Sequence, residues 1–223
     1  SQNFDRMAFA NVNAITVVPG AIGAFTRQAI EGAGGFTSDT LAEDADLTMR
    51  ILRAGYVVDN ENDAIAFTEV PENVRQFVKQ RTRWSFGVMQ SFWKHRDLLF
   101  SSERKNLGWI ALPNILIYQF IIPFFSPIAD VLMLFGLTTD SWYKILVYYL
   151  IFTLVDISVS LAAFIFEKEK KRNLIWIIPQ RFCYRWIMYV VLFKSLRKAV
   201  KGELQHWGVL KRSGNVQYKG EGV

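Results

Sequence analysis

The sequence predicts an α/β domain that runs into a helical membrane region, and three observations predict it. Short apolar runs alternate with helical repeats over residues 1–72. Long apolar stretches begin at Asn106. Charge divides at the same place: residues 1–105 hold twelve Lys+Arg against thirteen Asp+Glu, and residues 106–223 hold fourteen against seven. A nucleic-acid binder would spread its cations over a soluble surface. Here the cations flank apolar segments, as in a membrane protein with basic ends, so no nucleic-acid partner is expected. A single cysteine, Cys183, excludes an internal disulfide framework. The chain opens on Ser1 without signal-peptide architecture and is expected to be a piece of a longer polypeptide.

Each element has a local reason. Ala14–Val18 is an apolar run before Pro19-Gly20 and reads as a buried strand. A short helix over Arg27–Gly32 precedes the turn-rich GAGGFTSDT. Glu43–Ala54 repeats Leu47, Ile51 and Ala54 at helical spacing, and Gly55 supplies the stop. Tyr56–Val58 and Ala64–Thr68 read as two more strands around the polar DNEND loop.

From residue 73 to 105 the pattern becomes a long helix. Phe77, Trp84, Val88, Phe92 and Trp93 alternate with Arg75, Lys79, Arg81, Arg83, Lys94 and Arg96. Aromatics on one side and cations on the other favour a helix in a membrane interface over one packed on the α/β core.

Residues 106–200 hold three apolar segments. Asn106–Leu137 exceeds a simple span and contains Pro113, Pro123 and Pro127, so it either starts with an interfacial piece or is kinked. Ile145–Phe166 is the clearest span, with Asp156 as its single charge. Leu174–Phe193 contains Pro179, Arg181 and Arg185, and either packs inside a bundle or spans only partly. Arg181 and Arg185 are expected to line a polar path or to pair with Asp156. The basic EKEKKRN (167–173) and the basic tail (201–223) should both be cytoplasmic, yet they lie at opposite ends of the third segment. That segment either re-enters on one side or breaks the rule.

Two motifs carry a resemblance. AEDADLTMRILRAGY (42–56) resembles the TED-type motif of membrane-embedded processive family 2 glycosyltransferases, with Ala42 in place of its threonine. Gln80-Arg81-Thr82-Arg83-Trp84 matches their Q-(Q/R)-x-R-W, 36 residues after Asp44. The segment from Pro19-Gly20 to Arg27 is similar to the part that precedes these motifs on the acceptor side. GELQHWGVLKRSG (202–214) is similar to the end of the poly-N-acetylglucosamine synthase branch; cellulose and hyaluronan synthases are of the same type.

The resemblance implies the C-terminal part of a GT-A-like catalytic domain in residues 1–72. It further implies an inverting, processive β-glycosyltransferase that polymerises a UDP-sugar, with UDP-N-acetylglucosamine favoured, and passes the exopolysaccharide across the inner membrane. The catalytic part would be cytoplasmic, and accessory subunits would complete a synthase and export complex. It assigns Asp44 as the base that takes the acceptor hydroxyl's proton. Glu43 orients the acceptor or a neighbouring amide, and Gly20 lies beside the acceptor. Trp84 is assigned to the acceptor terminus, and Gln80, Arg81 and Arg83 to the nucleotide diphosphate.

Mg2+ or Mn2+ is implied, with its ligands expected in an N-terminal half outside this chain; no metal ligand is assigned here, and the chain by itself is expected to be inactive. Asp46 reads as a first-turn acid satisfying free amides, and His95 as a solvated helix end. Two other readings stand beside this one. A non-processive family 2 transferase acting on a lipid-linked acceptor would generally lack Q-(Q/R)-x-R-W. A channel or transporter subunit would make Asp156, Arg181 and Arg185 the working residues.

Overall fold

The computed structural model describes residues 2–61, 63, 64, 66, 68–139, 142–166, 175 and 183–201. The helices are α1 (Gln2–Asn11), α2 (Arg27–Gly32), α3 (Glu43–Ala54) and α4 (Val74–Lys94). A 3-10 turn at Arg96–Leu98 leads into α5 (Asn106–Gly136), followed by α6 (Trp142–Phe166) and α7 (Arg185–Lys201). α2 and α3 occupy the spans that periodicity predicts. Thr26 caps α2 by accepting the Ala29 amide at 3.3 Å. α3 stops at Gly55, which takes the left-handed φ of 94° and donates to the Ile51 and Leu52 carbonyls.

The predicted strands do not form among the described residues, so the fold seen here is helical and the β part of the α/β class is absent from it. Ala14 and Ile15 are buried, as a core strand would be, but side chains take up the main-chain groups of these segments. Asn13 donates from Nδ2 to the Tyr56 carbonyl and accepts the Val58 amide at Oδ1, at 3.2 and 2.8 Å. Thr48 Oγ1 accepts the Val18 amide at 3.0 Å. A side-chain amide and a hydroxyl thus stand where a neighbouring strand would, and no ladder results. Of the run 64–68, Ile65 and Phe67 lie outside the described residues.

The core gathers Leu47, Met49, Ile51 and Leu52 of α3 with Ala14, Ile15, Phe92 and Leu98. Leu107, Ala111, Leu112 and Ile115 of α5 belong to the same cluster. The first apolar stretch therefore starts inside the core, and from Ile122 onward it buries no residue. π-helical turns at Asn106–Ala111 and Ile115–Ile121 flank Pro113 and precede Pro123, where the missing amides would interrupt an α-helical ladder. α5 and α6 are each long and apolar enough to cross a bilayer. α1, a stretch of mixed polar and apolar residues, packs Phe9 and Ala10 on the core.

α4 is packed on two sides. It buries Thr82, Phe86, Gly87, Ser91 and Phe92, while Trp84 and Trp93 remain exposed. α7 backs it: Phe77 and Tyr184 approach at 5.8 Å between ring centroids, and Ser195 Oγ donates to the Thr82 carbonyl at 3.3 Å. Arg185 pairs with Asp130 of α5 at 2.8 Å, not with Asp156. Tyr189 donates to the same carboxylate at 2.7 Å. Asp130 takes the pair because α5 and α7 are in contact there. Arg181, EKEKKRN and residues 202–223 lie outside the described residues.

α4 meets the start of α3 at Gly87. A Cβ there would sit 2.6 Å from both the Ala42 Cβ and the Ala42 amide nitrogen. Backbone cannot give way as a flexible side chain could, so Gly87→Ala should destabilise the protein by about 1–3 kcal/mol. Thermal unfolding of the purified protein followed by tryptophan fluorescence measures this, and an unchanged midpoint would refute the close approach.

Candidate active site

The site is built at the N-terminus of α3, where the sequence places three acids. Its N-cap residue, Ala42, offers no side-chain acceptor. The turn is held from α4: Gln90 Oε1 accepts the Leu41 amide, just ahead of the helix, at 3.0 Å, and Gly87 lies against Ala42. Of the three acids, Asp46 turns inward and Asp44 outward, as expected for helix positions two residues, hence about 200°, apart.

Asp46 is fully buried and does not serve free amides. It accepts from Thr37 Oγ1 at 3.0 Å and Arg50 Nε at 2.8 Å. Lys94 Nζ lies 3.0 Å from both its oxygens, and His95 Nε2 is 3.2 Å from Oδ1. Burial alone would raise the Asp46 pKa. Hydrogen bonds from His95, Lys94 and Arg50 outweigh it and hold the carboxyl well below the usual carboxylate range. Lys94 also bonds Asp39 at 2.8 Å. Burial would lower the Lys94 pKa, and the two aspartates more than offset this and raise it. His95 is 2% exposed and so is not a solvated helix end. Its Nδ1 is buried without a hydrogen-bond partner among the described residues.

Asp44 is half-buried. Its Oδ1 accepts the Ala45 amide at 2.9 Å, and its Oδ2 lies 3.4 Å from the Gly20 amide. Its carbonyl accepts from Thr48, the residue that also holds Val18 at 3.0 Å. Gly20 and Asp44, predicted separately, are thus neighbours, joined through main-chain amides. Glu43 is half-buried beside them.

The Gln80–Trp84 residues lie N-terminal of Gly87 on α4. Gln80, Arg83, Gly87, Gln90 and Lys94 follow one another at helical spacing along one stripe. Gly87 touches Ala42, so Arg83 and Gln80 lie about 6 and 10 Å further along the axis. They project past the end of α3 that carries Asp44. Trp84 stands at the edge of this stripe, 43% exposed. Arg81 lies on the adjoining face, its guanidinium 4.7 Å from the Trp84 ring centroid and 5.2 Å from that of Phe77.

A half-buried carboxylate, a stripe carrying Gln and Arg, and an open indole can together receive a polar, ring-shaped substrate bearing an anionic group. Among the described residues no group of three or more His, Cys, Asp or Glu could hold a metal ion.

Residues 2–166 match the model for glycosyl transferase family group 2. "Probable glycosyltransferase YdaM" of Bacillus subtilis is 26% identical over 200 residues, covering 85% of this chain and 46% of that protein. Chitin synthase 1 of Saccharomyces cerevisiae is 28% identical over 193 residues, 73% of this chain and 16% of its own length. Poly-beta-1,6-N-acetyl-D-glucosamine synthase of Staphylococcus epidermidis is 23% identical over 227 residues, 92% and 52% respectively. The chain thus spans about half or less of the length of these relatives. No solved structure matches it at a significant level.

The Asp46 cluster makes stability depend on pH. A carboxyl whose folded pKa is depressed contributes stability that is present above its unfolded pKa of about 3.9 and is lost as pH falls below that value. Acid titration of the protein should therefore show a loss between about pH 5 and pH 2. In Asp46→Asn, at lower overall stability, that loss should shrink, and an identical acid profile in both proteins would contradict the cluster.

Proposed function

The chain belongs to glycosyl transferase family group 2, and on that premise we propose that it forms the acceptor side of a processive, inverting β-glycosyltransferase. The proposed substrates are UDP-N-acetylglucosamine as donor and the growing polysaccharide as acceptor, with the catalytic part on the cytoplasmic side of the plasma membrane. Synthases of cellulose, chitin and poly-β-1,6-N-acetyl-D-glucosamine among its relatives support a polysaccharide product. The two apolar helices support a membrane location. The observation that carries the reading is the placement of Asp44: outward at the start of α3, beside Gly20, with the Gln80–Trp84 helix fixed to the same turn.

In the proposed reaction the acceptor hydroxyl oxygen attacks the anomeric carbon of the donor from the face opposite the diphosphate. Asp44 takes the hydroxyl proton, the bond from the anomeric carbon to the diphosphate oxygen breaks, and UDP leaves with the electron pair. Configuration inverts because a single displacement occurs. Arg83 and Gln80 would meet the diphosphate charge as it develops. Trp84 would present its open indole face to the apolar side of the acceptor sugar ring. Arg81 would hold that indole, since its guanidinium already stacks on it.

Asp44→Asn in the full-length protein should lower incorporation of sugar from radiolabelled UDP-N-acetylglucosamine by about 10²–10⁴-fold, with membrane insertion and yield unchanged. Synthesis within a factor of a few of wild type would rule out Asp44 as the base. Trp84→Ala should weaken use of the acceptor, read as shorter products from a fixed primer at equal donor KM. Unchanged product length would remove Trp84 from the acceptor site.

A further inference from the structure

Something must fix where Asp44 points, and the usual device is missing. α3 has no N-cap side chain, because Ala42 occupies that position. Within the first turn Asp44 itself accepts the Ala45 amide at 2.9 Å, a bond that holds its side chain locally but leaves the rotation of the helix to be set from outside the turn.

A second hold on α3 comes from the far end of α4. Lys94 and His95, consecutive residues at its C-terminus, reach Asp46 from the motif helix, while Arg50 reaches it from the next turn of α3. Arg50 also donates to the Ala33 and Gly35 carbonyls, the latter at 2.6 Å, and so ties the 33–37 loop to the same carboxylate. Asp46 lies on the opposite side of the helix from Asp44. Holding Asp46 inward therefore fixes the rotation of α3 about its axis and turns Asp44 outward.

We infer that Asp46, gripped by Lys94 and His95, is a positioning residue for transfer: it sets the rotation of α3 that presents Asp44 to the site beside Gln80–Trp84. The inference rests on the reading of Asp44 as base. Gln90 and Gly87 fix the position of the same turn, and the Asp46 clamp fixes its angle. The groups around the clamp are Asp39, Asp46, Arg50, Lys94 and His95, two acids against two permanent cations and one imidazole.

Full-length protein in membranes, assayed with radiolabelled UDP-N-acetylglucosamine, tests this with Lys94→Met, Lys94→Arg and His95→Gln beside Asp44→Asn. Activity is expressed per folded molecule, counted by fluorescence-detected size-exclusion chromatography. Lys94→Met should lower kcat by about tenfold to a hundredfold, the cost of displacing a catalytic group by about an ångström. The donor KM should stay within twofold, because Gln80 and Arg83 are untouched. Lys94→Arg, which keeps the charge, should restore most of kcat, and His95→Gln, which keeps a donor, should lose less than Lys94→Met. A role in folding alone would lower yield and leave kcat per folded molecule unchanged, which would overturn the inference. If Asp44→Asn retains activity, the reading of Asp44 as base fails. If Asp44→Asn is inactive while Lys94→Met and His95→Gln are normal, only the positioning role fails.

Discussion

A buried carboxylate shared between two helices is the constraint on which this arrangement depends. Asp46 is fully enclosed and bonded to Thr37, Arg50, Lys94 and His95. Removing one partner of such a pair leaves an uncompensated buried charge, at a cost of about 3–5 kcal/mol. α3 and α4 are therefore bound to a single relative placement. Gly87 allows that placement to be close, and Gln90 seals the backbone amide that the approach would otherwise strand.

The same placement sets the helix that carries the cationic aromatic motif against the start of the helix that carries the acid motif, 36 residues earlier in the chain. α4 crosses the start of α3 at Gly87 and continues past it, carrying Arg83, Trp84 and Gln80 beyond the helix end. α7 supports α4 from behind through Ser195, with Tyr184 just ahead of it, and the Asp130–Arg185–Tyr189 cluster holds α7 on α5. α5 in turn begins in the core beneath α3. A continuous set of contacts thus links the apolar helices to the acid turn. On the proposed reading, this is how a site would keep its position relative to a membrane path for its product.

Much of this was legible in the sequence, for identifiable reasons. α3 is bounded as the sequence predicts because helical spacing and a Gly stop are local signals. The apolar stretches at 106–137 and 145–166 were found because twenty or so uncharged residues are also a local signal. Among the described residues the runs 14–18 and 56–58 form no strand, because pairing is a tertiary property: Asn13 and Thr48 supply side-chain partners that no period-2 pattern reveals. Asp46 and His95 were misread for a similar cause. An acid in a first turn and a histidine among charges each have an adequate solvated explanation, and only their 49-residue contact shows otherwise. Gly87 was the available sequence signal, a glycine inside a long helix, where a close approach is a standing reason. Gly20 and Asp44 are each assigned through resemblance alone, and only the structure shows the Gly20 amide 3.4 Å from the Asp44 carboxylate.

The most direct test of the account is a structure of the full-length protein with UDP and a short oligosaccharide acceptor bound. The account predicts the acceptor's terminal hydroxyl within about 3.2 Å of an Asp44 carboxylate oxygen, with the Trp84 indole against the terminal ring and Asp46 still held by Lys94 and His95. An acceptor seated away from Asp44, or an Asp44 turned into the protein with the Asp46 clamp open, would contradict it.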